Sequence, residues 1–488
     1  MKILYIDIDT LRPDHLGCYG YPRTTSPVID ALAEAGIVFT QVYASDTPCL
    51  PSRTALTTGQ FGLRNGIVNH GGPGAELRAE GEARQFVSAA ARHSWMRPLR
   101  DIGYWTASIS TFAERHSAYH FDAGFNECVN LGTRGLETAD QVIPVAESWL
   151  ERNRQRSDWF LHVHLWDPHT PYRTPSDFGN PFADQPHPDW ITETVRGDHW
   201  GRPGPHSAQE VAGFGPRTVW DAYPRQPLQM TGPADVTAMF DGYDAGVAWA
   251  DRQVGRLLAR LEQLGLDDVA IVVSSDHGEN LGELGIYCDH QTADEPTTHI
   301  PAIVVWPGGV LPAGQRLDGL HYQLDLMATV LELAGAEVPE TWDGQSFLPT
   351  LLDGRGGGRD ALVLSHGAWT VQRSLRFDDH LLVRTAHDGY HGFPEIMLFN
   401  VVSDPHERHN LANDRPEMVK AALDRLEAWE HEQLRRTPDG RDPLQTVLQG
   451  SGPWHSRTDP GWYFERLRST GRATWADRFE RREAAHER

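Results

Sequence analysis

The sequence CLPSRTALTTG at residues 49–59 is the most informative stretch of this chain. It places the thiol of Cys49 just before a predicted helix that begins near Pro51. Proline suits the first helical turn because its missing N–H removes no intrahelical hydrogen bond. Arg53 follows one turn on. The free backbone N–H groups and the positive end of the helix dipole at such a helix start favour an anion or an ionised nucleophile. The stretch therefore indicates a nucleophile site for an oxyanion substrate.

Apolar strand candidates alternate with amphipathic helices through most of the chain. The predicted strands are 3–8, 105–109, 159–165, 269–274 and 302–306. The predicted helices are 27–36, with Ser26 as its N-cap, 236–264 and 322–333. This alternation predicts an α/β domain over residues 1–362, in which helices sandwich a large, mostly parallel sheet. Ligand sites in such folds lie beyond the carboxyl ends of the strands.

Two segments depart from this alternation. Residues 171–233 are rich in Pro, Gly, Trp, Asp and His with little periodicity, and a loop of this length predicts a wall or lid over the active site. From residue 363 the pattern changes to short alternating strands and a charged helix at 415–436. We therefore expect residues 363–488 to form a smaller antiparallel sheet with a packed helix. Its Trp-rich tail from Thr437 either wraps the domain or docks a second copy in a homo-oligomer.

Composition limits the classes of partner. The chain has 488 residues and a formal net charge of -23, which argues against nucleic acid and anionic membrane surfaces as partners. Its four cysteines are scattered without a Cys-x-x-Cys pair, so no disulfide framework is indicated. The chain opens directly on a core strand, and no apolar run reaches membrane length. We therefore expect a cytoplasmic protein.

Carboxylates follow two of the predicted strands. Asp7 and Asp9 alternate at the end of the first strand and so lie on one side of it. A buried carboxylate costs several kcal/mol unless it is paired or metal-bound, so Asp9 at the strand end is a predicted metal ligand. Asp7 either supports that site or makes a structural hydrogen bond. The run SSDHGE at 274–279, with Asp276 and His277, ends another strand.

These motifs resemble those of the type I, formylglycine-dependent sulfatases of the alkaline-phosphatase-like superfamily, whose signature is Cys-x-Pro-Ser-Arg-x-x-Leu-x-Thr-Gly. The resemblance implies that a formylglycine-generating enzyme oxidises Cys49 and that the hydrated aldehyde is the nucleophile. It also implies one divalent cation bound by Asp9, Cys49, Asp276 and His277. Oxygen-rich ligation favours Ca²⁺, although the histidine also admits Mn²⁺, and Mg²⁺ would also fit.

The resemblance assigns further residues to the site. His169, in DPHTP at 167–171, becomes the acid or base near the leaving group, for which an imidazole is suited near neutral pH. Arg53 is expected to align the nucleophile, and Asn69 to contact the substrate. His162 and His164 lie inside a predicted strand and are expected to be core histidines with satisfied hydrogen bonds.

The chain also departs from the family pattern, because it contains only two lysines, Lys2 and Lys420. Sulfatases commonly read Gly-Lys-Trp-His where this chain has SISTF at 108–112, and Gly-Lys where it has CDH at 288–290. Arginine, histidine or the metal must therefore meet the charge of the sulfate. His290 either contacts the oxyanion and protonates the leaving group, or simply pairs with Asp289.

The predicted function is hydrolysis of a small-molecule or saccharide sulfate ester to an alcohol and inorganic sulfate. A phosphonate monoester hydrolase or phosphodiesterase with the same nucleophile is the alternative. It is favoured by His277, since phosphonate monoester hydrolases hold histidine at that position, and by the missing lysines. A third hypothesis is a non-catalytic relative that binds anions with Cys49 unmodified.

Overall fold

The computed structural model describes residues 1–78, 90, 93–214, 222–355, 357–450, 452–457 and 461–486. Residues 215–221 of the predicted lid lie outside this set. The strands within it are, in chain order, β1 (Lys2–Ile8), β2 (Ile37–Tyr43), β3 (Asp46–Thr47), β4 (Trp105–Ile109), β5 (Glu127–Val129), β6 (Trp159–Leu165), β7 (Val269–Ser274), β8 (Asn280–Leu281), β9 (Tyr287–Asp289), β10 (His299–Val305), β11 (Gln315–Leu317), β12 (His321–Tyr322), β13 (Ala361–His366), β14 (Val371–Phe377), β15 (His380–His387) and β16 (Ile396–Asn400).

The α-helices of the described residues cover the sheets. They are α1 (Pro27–Ala35), α2 (Cys49–Thr58), α3 (Gly62–Asn65), α4 (Met96–Asp101), α5 (Phe112–Arg115), α6 (Ala139–Asn153), α7 (Glu193–Trp200), α8 (Pro233–Gln263), α9 (Glu295–Thr298), α10 (Gln323–Leu333), α11 (Leu348–Leu352), α12 (Pro416–Arg435), α13 (Pro443–Gln449), α14 (Gly461–Ser469) and α15 (Ala473–His486). No helix of the described ranges is both long and apolar enough to cross a membrane.

The large sheet has the strand order β11-β2-β10-β7-β1-β6-β4-β5, with β12 also paired to β2. Strand β1 lies in its interior and runs parallel to β6 and β7, whereas β10 runs antiparallel to both β7 and β2. Alternate residues of β1 enter opposite cores, Ile6 on one face and Tyr5 on the other. Helices cover both faces, so the predicted α/β fold with a large, mostly parallel sheet is confirmed.

The first helix begins at Pro27 and ends at Ala35, close to the predicted bounds. Ser26 is the N-cap residue, as predicted, but its side chain does not cap the helix. The Ser26 hydroxyl accepts from the N–H of Gly17 (2.9 Å) and makes no capping bond to the helix. The carboxylate of Asp251, from α8, accepts instead from the N–H groups of Val28 and Ile29 (3.1 and 2.8 Å). A tertiary contact thus satisfies the helix start where a local one was expected.

The smaller sheet has the order β16-β15-β14-β13-β3 and is antiparallel except for the last pair. In that pair Ser365 lies opposite Asp46 and His366 opposite Thr47, in parallel register. The C-terminal region is therefore hydrogen-bonded directly to the segment that leads into Cys49. The domain boundary between residues 362 and 363 stays a prediction.

The C-terminal tail packs on the rest of the chain. Arg472 donates to both carboxylate oxygens of Glu210 (2.6 and 2.8 Å), which belongs to the 171–233 segment. Tyr463 and Phe464 pack with Tyr390 in a separate hydrophobic cluster. Of the two expectations for the tail, the structure shows wrapping of the domain, while self-association stays a prediction.

Candidate active site

Helix α2 presents the predicted nucleophile. It begins at Cys49 itself, so the thiol lies on the first helical residue rather than before the helix, and Pro51 occupies the first turn. The Ser52 hydroxyl donates to the carbonyl oxygen of Asp276 (2.6 Å) and accepts from Gln323 Nε2 (2.8 Å). These bonds fasten the start of α2 to the loop after β7. The helix ends at Thr58, and the following Gly59 adopts the left-handed region (φ 65°), where a Cβ would approach the Trp342 ring to 2.0 Å.

The four predicted metal ligands come together at the ends of β1 and β7. One ligand atom from each of Asp9, Cys49, Asp276 and His277 lies within 4.8 Å of all the others, and all four residues are buried. Asp9 Oδ1 and the hydroxyl of Thr10 are buried without a hydrogen-bond partner. Buried oxygens of this kind are costly unless they bind something. The donor set therefore fits a divalent cation, and Thr10 stands where the family often has a second aspartate.

Arg53 lies behind these carboxylates. Its side chain is fully buried, donating from Nε to Asp7 (3.0 Å) and from one terminal nitrogen to Asp9 (2.9 Å) and Asp276. Burial opposes ionisation of Asp7 and Asp9, yet the Arg53 charge holds the pKa of both below its usual range. Burial and the two neighbouring carboxylates raise the pKa of Asp276. Arg53 is thus a positioning residue, and it does not line the pocket above Cys49.

The strand histidines are satisfied, as predicted. His162 contacts the Ser108 hydroxyl (3.0 Å) and Asp7 (3.3 Å). His164 contacts the Ser110 hydroxyl (2.9 Å) and accepts from Arg53 (2.8 Å). Of the two roles expected for Asp7, the structure shows the structural hydrogen bond, which Asp7 accepts from Arg53 and shares with His162. Ser108 and Ser110 therefore form hydrogen bonds with the two histidines behind the site. These serines lie where sulfatases commonly have the Gly-Lys run.

Three histidines surround the thiol. His277 Nε2 lies 3.2 Å from Cys49 Sγ, while its Nδ1 contacts the carbonyl oxygen of Gly278 (2.8 Å). His169 and His290 each bring a ring nitrogen within 4.8 Å of the sulfur and of each other. Burial lowers the pKa of His277 to about 4 and that of His290 to about 3, and it lowers the pKa of His169 well below its usual value. Burial therefore favours the neutral form of all three rings, the form in which an imidazole binds a metal ion or accepts a proton.

The structure distinguishes between the two expectations for His290, contact with the oxyanion and pairing with Asp289. Its ring packs against that of His277, with centroids 4.3 Å apart, and its Nδ1 lies 3.4 Å from a carboxylate oxygen of Glu279. The Asp289 carboxylate accepts from the backbone N–H of His290 (2.8 Å) and contacts the ring of His206 at 3.0 Å. The His290 ring therefore faces the nucleophile rather than pairing with Asp289.

Asn69 lies beside the pocket without lining it. The side chain is fully buried, donates to the carbonyl oxygen of Pro73 (3.1 Å), and accepts from the backbone N–H groups of His70 (2.9 Å) and Trp454 (3.2 Å). It ties its own loop to the C-terminal tail, and the substrate contact predicted for it stays a prediction. The neighbouring His70 ring does line the pocket, where it contacts His455 at 3.0 Å.

A cavity of about 990 Å³ opens above Cys49. Sequence analysis missed most of its wall, which contains arginine, histidine and aromatic side chains: Arg115, Arg134, Arg173, His70, His116, His206, His455, Tyr223, Trp369 and Trp454. His206 and Tyr223 come from the 171–233 segment, and Trp454 and His455 from the tail. These arginines bring positive charge to the pocket of a chain that has only two lysines. No local motif marks them, because distant segments converge only in the fold.

Comparison with known proteins agrees with this geometry. The sulfatase family model matches residues 2–336, and a model for the C-terminal part of N-sulphoglucosamine sulphohydrolase matches residues 282–432. The chain belongs to the sulfatase family. It is a sulfatase, an enzyme that hydrolyses sulfate esters, and its family generally uses a metal and formylglycine.

Relatives of this sulfatase are distant in sequence. The uncharacterized sulfatase YidJ of Escherichia coli K12 is 24% identical over 497 residues, covering 94% of this chain and 92% of the relative. The solved structure of BT4656 with its substrate D-glucosamine-2-N,6-O-disulfate has a TM-score of 0.70 at 20% identity and covers 91% of this chain and 99% of that chain. The phosphonate monoester hydrolase of Agrobacterium radiobacter has a TM-score of 0.65 at 19% identity, with coverages of 88% and 95%. At these identities the structures show the shared fold.

Proposed function

We propose that this sulfatase cleaves the sulfate ester of a small molecule or saccharide with a hydrated formylglycine at position 49. A formylglycine-generating enzyme would produce that residue from Cys49. The observation that carries the proposal is the position of the Cys49 sulfur among Asp9, Asp276 and His277, with the Asp9 Oδ1 atom buried and without a partner. An ordinary buried cysteine needs no such surroundings.

The cation is proposed to be calcium, bound by Asp9, Asp276, His277 and the modified residue 49. Carboxylate oxygens are the ligands that Ca²⁺ prefers, and the single histidine leaves Mn²⁺ or Mg²⁺ as the other choices. When bound, such an ion supplies positive charge that favours ionisation of the attacking hydroxyl and stabilises charge on the sulfate oxygens. The proposal predicts that chelation abolishes turnover and that added Ca²⁺ restores it.

In the first step one hydroxyl of the hydrate attacks sulfur, the new O–S bond forms, and the bond from sulfur to the alcohol oxygen breaks. The proton of the attacking hydroxyl passes to the neutral imidazole pair of His169 and His290, whose ring centroids lie 5.2 Å apart. The pair returns one proton to the departing alcohol oxygen. Arg115, on the pocket wall, and the start of α2 face the sulfate oxygens, where each well-placed donor contributes ~3 kcal/mol.

In the second step the remaining hydroxyl of residue 49 passes its proton to the imidazole pair of His169 and His290, which is neutral again and releases the proton to solvent, and the aldehyde re-forms. The electron pair of that O–H bond makes the C=O bond, while the C–O bond to sulfate breaks and sulfate leaves. Water then adds to the aldehyde and regenerates the hydrate. No water has to attack sulfur, so a stable sulfate ester never needs to be hydrolysed directly.

Phosphonate monoester hydrolysis is the second candidate activity. His277 Nε2 lies 3.2 Å from the nucleophile, histidine being the residue that phosphonate monoester hydrolases hold at this position. A panel of aryl esters carrying the same leaving group as a sulfate, a phosphate diester and a phosphonate monoester separates the two activities. Protein coexpressed with the formylglycine-generating enzyme should show its highest kcat/KM on the sulfate, and the Cys49→Ala variant should show none. A higher kcat/KM on the phosphonate would instead assign phosphonate monoester hydrolysis as the main activity.

Two further expectations stay predictions. The cytoplasmic location would be tested by fractionating the source cells, and self-association by sedimentation of the matured protein.

A further inference from the structure

Three arginines line the active-site pocket without an acidic partner among the described residues. Among the described residues, no carboxylate lies within ion-pair distance of Arg115, Arg134 or Arg173, although the chain has 67 acidic and only 44 basic residues. The fully buried arginines Arg12 and Arg373 contact carboxylates at 3.0 and 2.7 Å, whereas Arg115 and Arg173 are half-buried and Arg134 is exposed. A group of unpaired cations in so acidic a chain indicates a place for an anionic ligand.

The contacts of these arginines leave binding capacity unused. Arg173 donates to the backbone carbonyls of Gly135 and Thr170, and its Nε is buried without any hydrogen-bond partner. Arg115 lies over the Trp166 ring, with its guanidinium carbon 4.9 Å from the ring centroid. Burial, followed by the charge of Arg115, lowers the pKa of Arg173 to about 10. The two cations therefore repel each other, and an anion between them would remove that cost.

A single sulfate ester does not use all of this charge. Behind the pocket, Arg53 contacts the carboxylates of Asp7, Asp9 and Asp276, and the proposed divalent cation would balance their remaining charge. The scissile sulfate ester brings one negative charge. Arg115 is the arginine that matches it, because it lies over the Trp166 ring, which packs against His169 with centroids 5.7 Å apart, and His169 is next to the Cys49 sulfur. Arg134 and Arg173 are therefore left without an anionic group to bind.

The backbone at Arg134 adds an independent observation. Arg134 adopts φ 54°, in the left-handed region where glycine is normally preferred, and its side chain is exposed at the pocket. A non-glycine residue there costs of the order of 1 kcal/mol. Glycine occupies the next position, Gly135, so the tight turn contains an arginine where a second glycine would be less strained.

We propose that Arg134 and Arg173 form a subsite for a second anionic group, a sulfate or a carboxylate, on the alcohol part of the substrate. The preferred substrate is then a small dianionic sulfate ester. A long polyanion is disfavoured by the net charge of -23, which repels it at a distance. This inference rests on the proposed function, since it assumes that the scissile sulfate binds at residue 49.

Binding without turnover tests the subsite separately from catalysis. The Cys49→Ala protein would be titrated calorimetrically with a monosulfated hexose, the same hexose carrying a second sulfate, and a monosulfated uronic acid. The dianions should bind about tenfold more tightly than the monoanion, which corresponds to ~1.4 kcal/mol. Arg134→Gln should remove most of this preference while changing the monosulfate Kd by less than about twofold. Equal affinity for all three ligands would overturn the proposal.

Further variants guard against indirect effects. Arg134→Lys keeps the charge and should retain part of the preference for dianions. Arg134→Gly, like Arg134→Gln, should lose that preference, but because glycine relieves the backbone strain the variant should unfold at the same or a higher temperature. Arg256→Gln, which removes an arginine that pairs with Glu147 outside the pocket, should change nothing. A dianion preference that survives both Arg134→Gln and Arg173→Gln would contradict the assignment. A matured wild-type protein that binds dianions preferentially yet turns over no sulfate ester would instead refute the proposed function and leave the subsite standing.

Discussion

Replacing Arg53 by methionine tests whether the surrounding carboxylates form a cation site. Arg53 is fully buried and contacts Asp7, Asp9 and Asp276, so its removal leaves three buried carboxylates facing one another. Removing one partner from a buried ion network costs about 3–5 kcal/mol. A ligand at 100 times its Kd stabilises a folded protein by ~2.7 kcal/mol. In the variant the cation also replaces the lost positive charge, so its stabilising effect should be larger than in the wild type.

Thermal unfolding followed by scanning calorimetry, in chelator and in saturating Ca²⁺, measures this difference. The loss of Tm caused by Arg53→Met should be largest in chelator and should shrink in Ca²⁺, even though the variant is inactive. Arg373→Met is the matched control, because Arg373 is also buried and contacts Glu430 and Asp442. Its loss of Tm should be equal in both conditions. An Arg53→Met deficit that neither Ca²⁺ nor Mn²⁺ reduces would refute the reasoning.

Three other changes probe the nucleophile, the pocket wall and the tail. The Cys49→Ser variant should complete at most one turnover and keep a covalently bound sulfate, because serine lacks the second hydroxyl that expels sulfate. The bound sulfate would be detected by intact-mass measurement, and repeated turnover would contradict the mechanism. Trp454→Ala should raise KM by about fivefold (~1 kcal/mol) with kcat little changed, since Trp454 lines the pocket at 47% exposure. Trp462→Ala, at 44% exposure outside the pocket lining, should alter neither value. Arg472→Met should destabilise the tail by ~3 kcal/mol and speed its limited proteolysis, because it removes the ion pair with Glu210 of the 171–233 segment. The exposed Arg468→Met is the control and should change stability by less than ~0.5 kcal/mol. Equal proteolysis rates for the two variants would count against a stabilising contact between the tail and the 171–233 segment.

The strands were predictable because buried parallel strands are continuous apolar runs. Strands β4, β6 and β7 begin and end at the residues that these runs predicted. The meeting of Asp9 and Asp276 was predictable for a related reason, since each follows a strand and the carboxyl ends of adjacent parallel strands lie at one edge of the sheet. The assignment of Asp276, Cys49 and His277 as metal ligands came from the resemblance to sulfatases.

Long-range contacts were not predictable in this way. His455 reaches the pocket from the tail and contacts His70, 385 residues away along the chain. Arg134 is positioned by a tight turn, and the cap of α1 comes from Asp251 rather than from the adjacent Ser26. The contacts of His455 and Asp251 depend on how distant segments pack, so no local periodicity or motif marks them. The turn at Arg134 and Gly135 is local, but it does not show which distant segments the Arg134 side chain meets.

The most direct test of the account is the mass of the peptide containing residue 49, taken from protein coexpressed with the formylglycine-generating enzyme and active on sulfate esters. The account predicts that this residue has lost the cysteine sulfur and two hydrogens and gained one oxygen, and that the extent of conversion tracks kcat across preparations. An unaltered thiol in fully active protein would contradict it.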